Sequence, residues 1–95
     1  MSTSTAQVIE RIRQYVVENY LYTRQDVQLS DDDPLLARGI IDSMGVMELI
    51  VFLEEEFGVA VGDADITEAN LGSLAAIARY VLARQAGASA ASSAA

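Results

Sequence analysis

Among its 95 residues the chain has no cysteine, no histidine and no lysine. Without cysteine there is no disulfide and no thiolate metal site. Without histidine there is no imidazole base and no imidazole ligand. A nucleophilic serine therefore lacks its usual activating partners. Long apolar runs are missing as well. The longest, Met44 to Leu53, has ten residues and includes Glu48, which is too short and too charged to span a bilayer. The N-terminal "MSTSTAQ" lacks the basic-then-apolar layout of a signal peptide, so a soluble, cytoplasmic protein is expected. Strand-like alternation is nearly absent, and "FGVAV", the best candidate, is short and has no partner.

Basic charge is scarce where acid is dense. Between Asp31 and Glu68 there are eleven Asp/Glu against Arg38 alone, a charge of −10; with −8 for the whole chain, the remainder carries +2. Such a surface disfavours nucleic acid and anionic membrane as partners and favours a protein with a basic patch.

Ninety-five residues make one small domain. The last ten, "AGASAASSAA", hold no large apolar side chain and no charge, so residues 86–95 are expected to be a disordered Ala/Ser tail behind a domain at 1–85. The spacing predicts a first helix over about Thr5 to Asn19, with Ser4 and Gln7 as a capping box and Val8, Ile9, Ile12, Tyr15 and Val16 as its core stripe. A long connection runs from Tyr20 to Ile41, with Val27, Leu29, Leu35, Leu36, Ile40 and Ile41 as anchors and one short helical turn. Asp42 caps a second helix with Ser43 at its first position, ending near Phe57 with Gly58 as the stop. Thr67 caps a short turn to Leu71, and Ser73 caps a last helix to about Gln85. Leu74, Ile77, Ala78, Val81 and Leu82 form the apolar stripe of that helix. The expected fold is all-α, three main helices and one short one.

The second helix has two apolar faces. At 100° per residue, Val46, Leu49, Ile50, Leu53 and Phe57 cluster on one side and make the core face. Met44, Met47 and Val51 fall opposite, together with Glu48 and Glu55, and Glu54 borders them. Three helices are too thin a bundle to bury one of them on both sides, so the second stripe reads as a docking patch with an acidic rim. Methionine suits such a patch because it is flexible and polarizable.

Ser43 is either a polar first-turn residue or a modification site. A phosphate on its hydroxyl would lie at the positive end of the helix dipole, near free N–H groups. "GIIDSMGVMELIVFLEEEFGV" resembles the 4′-phosphopantetheine attachment region of acyl carrier proteins and the related peptidyl carrier proteins. "DITEANLGSLAAIARYV" resembles the later helices of that family, and the likeness runs from about Val8 to Leu82. It implies an acyl-carrier-like bundle in which Ser43 is esterified by a separate phosphopantetheinyl transferase using coenzyme A. It further implies that Asp42 helps hold the transferase's magnesium, and that Met44, Met47, Glu48, Val51 and Glu55 meet partners such as acyltransferases, ketosynthases or adenylating enzymes. The arm would carry an acyl or aminoacyl group as a thioester, so no catalytic residue is expected in the chain itself. Met44 stands where the family has leucine. Gly45 stands where a polar residue is common, at a helix cost of roughly 1 kcal/mol and with room gained beside the arm.

"DADITEANLGSL" begins like a calcium loop but has Glu68 at the sixth place and Leu74 at the twelfth, so no metal site is expected. The runs Asp31–Asp33 and Glu54–Glu56 read as solvated surface. The resulting expectation is a monomeric, free-standing carrier of acyl or aminoacyl groups, for polyketide or related natural-product synthesis rather than fatty-acid synthesis. The alternative is an unmodified helical adaptor that binds partners through its second helix.

Overall fold

Ser4 starts the fold. Its hydroxyl accepts from the Gln7 N–H at 3.1 Å, and the Gln7 side chain accepts from the Ser4 N–H at 3.0 Å. Two otherwise orphaned donors are satisfied reciprocally, and α1 (Thr5–Tyr20) follows. The computed structural model describes residues 4–23 and 28–94, with side chains through residue 86. The remaining elements are α2 (Ser43–Phe57), a single 3₁₀ turn (Asp63–Asp65), α3 (Glu68–Leu71) and α4 (Leu74–Ala94). There is no strand among the described residues, as the missing alternation implied.

Three apolar stripes meet in one core. Val8, Ile12 and Val16 of α1 are fully buried, as are Leu49 and Leu53 of α2 and Leu74, Ile77, Ala78 and Val81 of α4. The Val, Leu and Ile side chains among them contribute about 1.5–3 kcal/mol each on burial. α4 packs against α1, α2 and α3, which makes it the spine of the bundle. Tyr80 joins the core although the α4 stripe omitted it; its hydroxyl donates to Asp65 at 2.8 Å. That bond and burial hold the Tyr80 phenol above its ordinary pKa, with burial the larger cause.

Phe57 ends α2 because Gly58 takes the left-handed conformation (φ 67°) and returns its N–H to the Glu54 carbonyl at 3.0 Å. The tail expected to be disordered is instead helical, since α4 runs on past the apolar stripe to Ala94. Alanine is the strongest helix former, so backbone propensity extends a helix that no apolar stripe requires.

The connection before α2 is laid over the bundle and pinned. Leu29, Leu35, Ile40 and Ile41 are buried, whereas Leu36 is 49% exposed. The reason is a single helical turn, in which the Arg38 N–H donates to the Pro34 carbonyl at 2.9 Å. With Leu35 pointing inward on that turn, the next residue is rotated out. Gly39 (φ 69°) closes the turn. Val27 lies outside the described residues. The acidic runs are more committed than a solvated surface would be. Arg13 holds the Leu29 carbonyl and Asp31, Arg38 pairs with Asp33 at 2.7 Å, and Arg11 pairs with Glu56 at 2.7 Å. Glu54 accepts from the Val61 N–H at 3.0 Å.

Candidate functional site

The site lies where this pinned connection enters α2. Asp42 is extended (φ −98°, ψ −177°) and its Oδ1 accepts from the Gly45 N–H at 2.7 Å. Asp42 therefore does the capping. Ser43 occupies the first helical position, exposed, and its hydroxyl has no hydrogen-bond partner among the described residues. The N–H groups of a first helical turn have no partner within the helix, so the hydroxyl stands at a positive helix end. No base adjoins it in the helix. Its nearest acidic neighbour is the capping Asp42.

The outer face of α2 is as the periodicity indicated. Met44 is 79%, Met47 56% and Val51 52% exposed, and Glu48 and Glu55 are exposed as well. Neither glutamate has an ion-pair partner among the described residues. Glu48, Val51 and Glu55 also border an open groove of about 410 Å³ between α1 and α2, closed on its other side by Arg11 and Tyr15. Phe52 floors it, stacked on Tyr15 at 4.1 Å and covered by Arg11 at 5.0 Å. The five expected docking residues therefore form one surface, but it bends at Glu48 from the outer face into the groove.

Gly45 departs from expectation. It is buried on the inner side of α2, so it makes no room beside an arm on Ser43. The Tyr20 ring packs against it, and the Tyr20 hydroxyl donates to its carbonyl at 3.3 Å. Burial pushes the Tyr20 phenol well above its ordinary value of 10. Neighbouring Tyr15 and the negative charges of Glu48 and Asp42 push the same way, so Tyr20 is a standing donor. Nothing in the pattern of α1 marked Tyr20. The signal that did exist was Gly45 itself, because an isolated glycine inside a helical pattern usually has a packing reason.

A second, smaller cavity of about 100 Å³ opens one turn along from Ser43. Leu36, Val46, Ile66 and Leu71 line it together with the polar Thr67 and Glu68. It is far below the roughly 300–1,000 Å³ of ligand pockets, so this cavity encloses no long acyl chain.

Four helices, a capped α2 start and an uncommitted exposed serine define an acyl-carrier-like helical bundle. A family model described as a phosphopantetheine attachment site matches residues 10–81, most of the chain, and the chain belongs to that family of carriers bearing covalent 4′-phosphopantetheine. No curated protein matches it. The residues present fit the group: the hydroxyl at the head of α2 is exposed and has no hydrogen-bond partner among the described residues. No helix is long and apolar enough to cross a membrane among the described residues.

Proposed function

We propose that Ser43 is the attachment residue, and that the protein is a free-standing acyl carrier serving polyketide or related natural-product synthesis. One observation carries the assignment of Ser43. Asp42 takes the capping role, and this leaves the adjacent exposed hydroxyl unbonded at the head of α2. Loading is a transfer from coenzyme A. The Ser43 Oγ–phosphorus bond forms as the pyrophosphate P–O bond breaks, adenosine 3′,5′-bisphosphate leaves, and the hydroxyl proton passes to a base on the transferase. When bound, the arm supplies a terminal thiol that carries an acyl or aminoacyl group as a thioester.

The chain's own residues do the remaining work. Ser43 holds the arm at a favourable helix end. Asp42 orders the first turn and offers its second carboxylate oxygen to the transferase's magnesium. Met44, Met47 and Val51 present an adaptable apolar face to partner enzymes, and Glu48 and Glu55 orient them. The carrier domain spans residues 1–85, with 86–95 an appended tail, and it works as a cytoplasmic monomer without catalytic groups. The dense acid of residues 31–68 leans toward an acyl cargo, and Met44 in place of leucine leans toward a dedicated pathway.

The test is direct. Apo-protein incubated with a promiscuous phosphopantetheinyl transferase, magnesium and coenzyme A should gain the mass of one phosphopantetheine, and Ser43→Ala should gain none. An equal gain in both would move the attachment elsewhere. No gain in either would favour an unmodified adaptor.

A further inference from the structure

Three side chains converge on the α-carbon of Gly45. A β-carbon built there would lie 2.8 Å from Ile41 Cγ2, 3.1 Å from Tyr20 Cε1 and 3.3 Å from Asp42 Oδ1. The shortest of these is closer than side chains tolerate, so any other residue would displace at least one of the three. Two are the residues leading directly into Ser43. The third, Tyr20, is the last residue of α1 and arrives from 25 positions away.

Tyr20 does more than fill space. Its hydroxyl donates to the Gly45 carbonyl at 3.3 Å, while the Gly45 N–H donates to Asp42 at 2.7 Å. One residue of the first turn is thus tied at its N–H to the cap and at its carbonyl to α1. The Tyr20 ring is itself held. Tyr15 meets it edge-on with centroids 6.0 Å apart, and Tyr15 stacks on Phe52 in the middle of α2. The head of α2 is therefore fastened to its own middle by way of α1.

We propose that Tyr20 is a positioning residue for the loading of Ser43. By fixing Gly45 it fixes the Asp42 carboxylate, so that the Ser43 hydroxyl and the second carboxylate oxygen reach the transferase as one rigid pair. This rests on Ser43 being the attachment residue. Holding reacting groups in a defined geometry lowers the barrier without adding a contact to the partner, so the effect belongs in turnover rather than in affinity.

Tyr20→Phe removes the hydroxyl and keeps the ring. Loading of this variant by a promiscuous phosphopantetheinyl transferase, with magnesium and coenzyme A, should show kcat lower by about twofold to tenfold, the worth of one ordinary hydrogen bond. KM for the carrier should hold. Deuterium exchange of the Gly45 amide in the apo-protein should speed up as the cap loosens. Gly45→Ala, whose β-carbon would press first on Ile41 and then on the Tyr20 ring and the Asp42 carboxylate, should show the same pattern from the other side of the contact. It carries the test if Tyr20→Phe proves poorly folded. Wild-type kcat in both variants, or a loss confined to KM, overturns the proposal. So does a loss that merely follows the folded fraction measured by circular dichroism. Loading of Ser43→Ala at the wild-type level would instead remove the attachment assignment, and that result is distinguishable because it appears in the mass of a different variant.

Discussion

Asp42 combines two properties that substitutions can separate. Its Oδ1 caps α2 through the Gly45 N–H, and its charge sits beside the hydroxyl that is proposed to be loaded. Asparagine is nearly as good a cap as aspartate, whereas alanine at an N-cap costs typically about 1 kcal/mol. Urea unfolding should therefore show Asp42→Asn within a few tenths of a kcal/mol of wild type and Asp42→Ala about 1 kcal/mol less stable. Transfer to Ser43 should fall in both variants, because both remove the carboxylate charge. If Asp42→Asn loads like wild type, the carboxylate serves the helix alone. The same residue-scale logic explains the bare hydroxyl of Ser43. Two adjacent polar residues compete for one cap, the extended residue wins, and the first helical residue keeps its side chain outside.

At the scale of elements, the connection into α2 behaves as a strap with three fasteners. The Leu35 N–H donates to the Gly72 carbonyl and the Ala75 N–H to the Asp31 carbonyl, both at 2.9 Å, while Arg13 grips Leu29 and Asp31 from α1. Asp33 closes the loop on itself, accepting from the Ser30 N–H at 2.7 Å and from Arg38 at 2.7 Å. The Ser30 N–H is the main reason its carboxyl lies below the ordinary value of 3.8, and Arg38 adds to it. Because the folded state favours the ionised form, this contribution is present above pH 3.8 and is lost as pH falls through the lower folded value. An NMR titration should place the Asp33 midpoint below 3.8. Arg38→Ala should move it only part of the way back, since the backbone donor remains. A full return would make Arg38 the dominant cause. The strap also shows what was legible in the sequence. The bounds of α2 and the caps at Ser4, Asp42 and Thr67 follow from neighbours three or four residues apart, and short-range chemistry of that kind is written in the order of residues. The grips of Arg13 on Asp31 and of Tyr20 on Gly45 span 18 and 25 positions. They exist only once α1 has packed against the connection and against α2, so no periodicity announces them. The place of Ser43 at the head of α2 was legible because its cap is local, whereas the reason for Gly45 was not, because its partner is distant.

At the scale of the whole molecule, charge and apolar surface coincide. The −10 carried by residues 31–68 includes Glu48 and Glu55, which flank the exposed Met47 and Val51 and have no ion-pair partner among the described residues. Intramolecular pairing gives no account of those two charges, so reversing one costs the fold little. A partner with a basic patch would lose on-rate, since complementary charge acts chiefly on the encounter. Glu48→Lys should therefore leave the melting temperature close to wild type and lower kcat/KM for transferase loading several-fold at low salt. Raising the salt should narrow the gap, because screening shortens from about 10 Å at 0.1 M to about 3 Å at 1 M. Uncharged truncation of Met47 to alanine should reduce kcat/KM by an amount that salt does not remove, since apolar burial is not screened. If Glu48→Lys melts far below wild type while its turnover per folded molecule holds, Glu48 supports the bundle and the docking face lies elsewhere.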